Sequence, residues 1–310
     1  MNNDENLIHQ EMQPEEPVFI IERDDEKTPP AGGPTPMSNG KNWRKWLWMA
    51  LALMAIMALA FGAYKGWRLY NARKMGVSIS VKPEDNIEKL EKTPQEITPE
   101  VIHTNDSILG VELDFYELQG LRANIEFKEP KLTDTSVYLY CRSADHTEDS
   151  IYLGTLVVDG VEKPSEQSRL GYMAMTDSQM VIGVSPSEAV KDYVMNKGGS
   201  FFRQFVLVSN HGLPPRFYLN GKNIRKAIGR IKDSKGDKLF MVSTRNKVTV
   251  NDFARALQEY GFIDAIYITG GPDYCYYRSN DKQRHDIGDI KNYPRKKGKN
   301  IIPWLVFRKI

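Results

Sequence analysis

Three stretches in the C-terminal half of the chain carry residue types that could do chemistry. The first is Gly198-Gly199-Ser200-Phe201-Phe202-Arg203-Gln204-Phe205, where Arg203 and Gln204 interrupt a run of apolar residues. A glycine pair at its entry allows a tight bend or a close approach of the backbone to a ligand. A hairpin with Arg203 on its solvent face gives the same pattern. The second is Asn223-Ile224-Arg225-Lys226-Ala227-Ile228-Gly229-Arg230. In a strand, Arg225 shares a face with Ala227 and Gly229, which leaves room beside its guanidinium for a planar or anionic ligand. A surface arginine on an edge strand is the plainer reading. The third runs from Asp264 to Tyr277, with Thr269, Gly270, Gly271, Pro272, Asp273 and Tyr274 following the short apolar run Ala265-Ile266-Tyr267-Ile268. A glycine turn at the end of a buried strand exposes N–H groups beside polar side chains, a frequent layout for a site. It is also what an ordinary structural turn looks like.

Other chemistries have little support. The five histidines are widely scattered, there are two cysteines, and HExxH, CxxC, P-loop and GxGxxG patterns are missing. No metal-ligand set is read from the residues and no Cys–His nucleophile pair is indicated, while the cofactor and any metal requirement stay open. Cys141 and Cys275 have two open readings. They could pair, closing a long loop worth roughly 4–5 kcal/mol on the chain-entropy model, or stay as buried thiols. The basic run Arg295-Lys296-Lys297-Gly298-Lys299 reads as a solvated turn rather than a nucleic-acid contact.

The elements that must position these residues follow from patterning. The chain has 310 residues, 41% apolar and 26% charged, with a formal charge of +2. Residues 105–310 hold 25 acids and 30 bases, and break into short β-rich runs between turn signals. Strands are expected at Ile108–Leu118, Ala123–Phe127, Val137–Cys141, Ile151–Val158, Met180–Val184, Phe201–Ser209, Ile224–Ile231, Leu239–Thr244, Ala265–Ile268 and Trp304–Arg308. Asp159-Gly160 should turn a hairpin. One helix is expected over 187–196, capped by Ser185 or Ser187. A second follows Thr249, with Val250, Phe253, Ala254 and Leu257 on one face and Gly261 at its end. The class is α+β: a mixed, mainly antiparallel sheet domain with a few helices, spanning 105–310.

The front of the chain is different. Residues 1–42 form an acidic, proline-rich tail expected to be disordered; residues 1–40 hold nine acids and two bases. Within it, Val18-Phe19-Ile20-Ile21 is a short apolar island. Trp46–Tyr64 is a run of 19 uncharged residues, reaching about 28 Å as a helix, close to a bilayer's hydrocarbon thickness. Trp43, Trp46 and Trp48 at one end and Tyr64, Trp67 and Tyr70 at the other suit headgroup depth. This predicts a transmembrane helix over 43–67 and membrane attachment. Flanking basic residues are nearly balanced and do not set orientation. Residues 68–104, with Pro83, Pro94 and Pro99, read as a spacer holding the domain off the membrane, with at most a helical turn or two.

Taken in order, the three chemical stretches resemble the phosphodiester glycosidase family. The matching pieces are Arg225-Lys226-Ala227-Ile228-Gly229, the strand Leu239–Thr244, the helix over 249–260 with Gly261, Asp264–Ile268, and Thr269-Gly270-Gly271. Phe201–Gln204, Ala265–Tyr267 and Trp304–Arg308 are similar to a divergent Bacteroides-type branch. The likeness covers about residues 180–310. It implies hydrolysis of a sugar phosphodiester, with Asp273 and Arg225 as catalytic residues and Arg203, Gln204, Thr269, Gly270, Gly271 and Tyr274 binding the substrate. It also implies that the tail is cytoplasmic and the domain periplasmic or extracellular. Two departures bear on activity. Thr269 stands where the family turn has Asp, leaving Asp273 as the nearest replacement carboxylate, and Lys226 replaces a Thr. A relative that binds envelope glycan or a protein partner without catalysis is the alternative.

Overall fold

The computed structural model of the protein describes residues 42–74, 83–93, 97–147, 149–167, 169–214, 217, 221–234, 236–279, 281–288 and 302–309. The acidic tail with its 18–21 island, part of the expected spacer and the basic run at 295–299 lie outside them.

Helix α1 spans Asn42–Lys74, and its segment Lys45–Tyr64 is long and apolar enough to cross a membrane. Trp46, Trp48, Ile56, Leu59 and Phe61 are all exposed. By length and composition this is a candidate membrane span.

In the folded domain, antiparallel pairing dominates. One sheet has the order β1 (Glu100–Ile108), β2 (Val111–Gln119), β14 (Gly236–Thr244), β13 (Lys226–Asp233), β15 (Asp264–Ile268), β12 (Val206–Val208). A second runs β10 (Met180–Val184), β9 (Gly171–Met175), β11 (Ser200–Gln204), β6 (Leu156–Val158), β7 (Val161–Glu162). A third runs β17 (Arg284–Ile287), β16 (Cys275–Arg278), β4 (Val137–Arg142), β18 (Trp304–Lys309), β3 (Leu121–Glu126). Two short strands, β5 (Tyr152–Leu153) and β8 (Ser165–Glu166), pair in parallel. The architecture is therefore α+β, mainly antiparallel.

Side-chain alternation explains how the layers stack. Ile228 and Ile266 of the first sheet, Met173 and Phe202 of the second, and Leu139 and Leu305 of the third share one apolar cluster. The neighbouring residues point the other way. Ala227 and Phe115 pack with Phe253 and Leu257 of α4 (Val250–Tyr260). Tyr172 and Phe201 pack with Val190 and Val194 of α3 (Ala189–Asn196) and Leu90 of α2 (Pro83–Glu91). Strands of the first two sheets are thus covered on both faces, as a domain of this size needs to bury its core.

The expected spacer is shorter than the sequence suggested. Burial of Leu90, worth about 2 kcal/mol, and pairing of β1 with β2 draw α2 and the segment from Glu100 into the fold. Asp159 and Gly160 both have positive φ, 50° and 75°, and join β6 to β7 as a two-residue turn whose twist suits the strands. Helix α4 begins where expected: the Thr249 side chain accepts from the Asp252 N–H at 3.1 Å, and Gly261 ends it at φ 106°. Helix α3 does not. Its N-cap is Glu188 without a side-chain capping bond, while the Ser187 hydroxyl accepts from the Ala189 N–H. We expect Thr249→Ala to cost about 1 kcal/mol, seen as a lower urea midpoint with an unchanged slope; an unmoved midpoint would show that the α4 cap carries no stability.

Candidate functional site

The buried strand β15 ends at Ile268, and the chain turns through Thr269, Gly270, Gly271 and Pro272 to Asp273. The Asp273 N–H donates to the Gly270 carbonyl at 2.9 Å, closing the turn. Both glycines are required here. Gly270 has φ 69°, and a Cβ on Gly271 would lie 1.9 Å from the Ile224 carbonyl oxygen.

Strand pairing brings a partner to Asp273 from 131 residues away. Tyr276 lies opposite Tyr140, so the end of β4 reaches the turn. There Arg142 donates to Asp273 Oδ2 at 2.5 Å, with the two side chains 20% and 24% exposed. The Nε of Arg142 and the hydroxyl of Thr269 are both buried without a hydrogen-bond partner among the described residues. The turn therefore presents a water-accessible carboxylate–guanidinium pair next to two unused polar groups.

Lys226 holds the turn from below. It is the first residue of β13, opposite Ile268, and is 2% exposed. Its ammonium donates to the carbonyls of Asp273 (2.8 Å) and Gly270 (3.3 Å) and to Cys275 Sγ (3.3 Å). This is how a lysine is accommodated where the resemblance has a Thr: its charge is taken up by the backbone of the turn itself. Burial pushes the Cys275 thiol up, opposed by Lys226, and burial pushes Cys141 up as well. Both thiols are free and buried in this structure. The register that opposes Tyr276 and Tyr140 also sets Cys275 opposite Cys141.

The remaining expected residues do not converge on Asp273. Arg225 is 6% exposed and points to the α4 side of the sheet. Its donors reach the carbonyls of Gly221 (2.5 Å) and Val248 (3.4 Å) and the Tyr267 hydroxyl (3.3 Å). The room expected beside Ala227 and Gly229 is filled, since a Cβ on Gly229 would meet the Phe262 ring at 2.6 Å. Arg203 is buried rather than on a solvent face. It donates to the carbonyls of Arg169, Ser185 and Ser187 at 3.2, 2.5 and 2.6 Å, and pairs with Glu188 at 3.1 Å. Desolvation lowers its pKa, opposed by Glu188. Gln204 is buried and donates to the Leu153 carbonyl. The Tyr274 hydroxyl donates to Asp286 at 2.8 Å, and burial, reinforced by that carboxylate, pushes its pKa up.

Arg142 is the residue that reading the sequence missed. It sits at the end of an ordinary strand with no local motif, and only pairing of β4 with β16 reveals it. Among the described residues no group of three or more His, Cys, Asp or Glu side chains could hold a metal ion. A cleft of about 820 Å³ lies elsewhere, lined by Lys89, His211, Arg230, Lys232 and Asp237 among others.

No family model matches the chain, and no curated protein does. Among solved structures it is similar to the catalytic domain of zebrafish N-acetylglucosamine-1-phosphodiester alpha-N-acetylglucosaminidase, auto-inhibited by its pro-peptide. The identity is 10%, over 72% of this chain and 86% of that one, with a TM-score of 0.47. It is also similar to a hypothetical protein from Synechocystis, at 10% identity over 68% of this chain and 62% of that one, with a TM-score of 0.43.

Proposed function

We propose that this is a membrane-tethered phosphodiester glycosidase-like protein that hydrolyses a sugar phosphodiester at the Thr269–Asp273 turn. The observation that carries the reading is the Arg142–Asp273 pair, partly open to water beside the unpartnered Thr269 hydroxyl and Arg142 Nε. A phosphate monoester is a good leaving group, so charge stabilisation at the departing oxygens matters more than a strong acid. Arg142 supplies that charge. Asp273 takes a proton from water as its oxygen bonds to the anomeric carbon, and the sugar–oxygen bond breaks with its electrons going to the phosphate. Gly270 and Gly271 let the sugar approach the backbone. Helix α1 anchors the chain, with the tail cytoplasmic and the domain on the outer side.

The test uses the full chain in detergent, incubated with a panel of sugar phosphodiesters including UDP-N-acetylglucosamine, with and without Ca²⁺, Mg²⁺ or Zn²⁺. Free sugar should appear. Saturable binding without release would replace this reading with the second one, a glycan-binding relative without turnover. That second reading is favoured by Arg203 and Arg225, whose donors are engaged mainly by backbone carbonyls and leave Arg142 as the one guanidinium paired with Asp273.

A further inference from the structure

Arginines in this fold are well supplied with acceptors. Arg203 and Arg278 each reach several carbonyls or carboxylates, Arg230 pairs with Asp264 and Asp237, and Arg308 pairs with Glu126 and Asp134. Among the described arginines that are buried or half-buried, Arg169 is the exception. Among the described residues its guanidinium has one hydrogen-bond partner, Gln167 Oε1 at 2.5 Å, and no carboxylate in ion-pair range. Its Nε is buried without a partner. Its guanidinium carbon lies 3.3 Å from the centre of the Phe205 ring, a close cation–π contact. Phe205 is itself 37% exposed, an unusual position for an aromatic residue between two buried strands. Desolvation pushes the guanidinium down to about 10, with Asp145 opposing. A cation held partly out of water without a counter-ion is costly unless something else meets it.

Chain connections put this group in the neighbourhood of the turn. The Phe205 carbonyl accepts from the Tyr267 N–H at 2.8 Å, two residues before Thr269. The segment after Arg142 runs back toward Arg169: the Leu153 N–H donates to the Asp145 carbonyl, and a Cβ on Gly154 would lie 3.0 Å from Arg169 Cγ. Of the six buried side-chain atoms without a partner among the described residues, four belong to Arg142, His146, Arg169 and Thr269 along this path.

We infer that Arg169, held over the Phe205 ring, binds phosphoryl oxygens of the ligand and makes this a phosphate-recognising subsite next to the turn. The inference rests on the reading of the turn given above and adds the residue that selects a phosphate-bearing ligand over a neutral glycan. With Nε buried and Nη2 donating to Gln167, the edge formed by Nη1 and Nη2 is the one left to meet phosphate oxygens.

The test titrates the full chain in detergent, at constant ionic strength, with inorganic phosphate, α-glucose 1-phosphate, UDP-N-acetylglucosamine and glucose. The three phosphate-bearing probes should bind and glucose should not; tighter binding of the sugar phosphates than of inorganic phosphate would place the sugar in the same site. Arg169→Gln should weaken the phosphate-bearing probes about 10- to 100-fold. Arg169→Lys keeps the stem on Phe205 and the charge but not the fork, and gives the readout if the glutamine variant fails to fold. It should weaken binding about fivefold. Unchanged affinity in either folded variant, or no binding of any phosphate-bearing probe to the wild type, overturns the inference. Sugar release with a KM unmoved in Arg169→Gln overturns it while leaving hydrolysis standing. Binding that depends on Arg169 with no sugar released upholds it and removes hydrolysis.

Discussion

Asp264→Asn should destabilise the domain by about 3 kcal/mol, the lower end of what breaking a buried ion pair costs. Asp264 and Arg230 sit opposite each other on β15 and β13, with side chains only 3% and 8% exposed and Arg230 Nη2 2.6 Å from Asp264 Oδ2. Arg230 Nε adds a second bond at 2.8 Å, and the other carboxylate oxygen accepts from the Asn210 N–H at 3.1 Å. The amide keeps the shape, so no cavity forms, but it offers one acceptor where the carboxylate offers two and leaves the guanidinium with half its charge partners. Asp237, 3.1 Å from Arg230 Nη1 and partly exposed, retains some compensation, which is why the lower end applies. Urea unfolding checks this, and a loss under 1 kcal/mol would mean that Asp237 suffices. The double change Arg230→Met with Asp264→Leu should recover most of the loss, because a matched apolar pair leaves no charge stranded.

Asp273→Asn should lower sugar release at least 100-fold, the smaller end of what a proton-accepting group contributes, with little loss of stability. The second half of that expectation comes from exposure: an ion pair whose side chains are 20% and 24% open to solvent is worth at most about 1 kcal/mol. Thermal melting within a few degrees of wild type, with turnover gone, is the expected result. Unchanged turnover would remove Asp273 from the chemistry. Arg142→Gln should reduce turnover at saturating substrate as well as affinity, since its charge is needed most as the phosphate departs; a change in KM alone would reduce its part to binding.

Most strands were legible because their apolar residues alternate or sit beside turn signals. The exceptions have physical causes. Strand β9 is buried along its whole length and has no period for the eye to follow, with Met and Ala as good in a helix. Strand β1 is the opposite case, largely exposed from His103 to Ser107, an edge strand whose polar residues look like a linker. The site divides in the same way. Asp273 and the glycine turn are local and were visible. The roles of Arg203 and Arg225 depend on carbonyls of loops at Ser185, Ser187, Gly221 and Val248, and Arg142 reaches Asp273 only through sheet pairing. Nothing in a local pattern encodes which carbonyl a guanidinium will find.

The turn at Gly270–Asp273 is fastened by its own backbone: Gly271 lies against the Ile224 carbonyl, Asp273 bonds back to Gly270, and the Lys226 ammonium bridges both ends. Its conformational entropy is therefore surrendered during folding and not when a ligand arrives. If the proposed ligand binds at this turn, its association should carry only the modest ordering penalty of a rigid receptor.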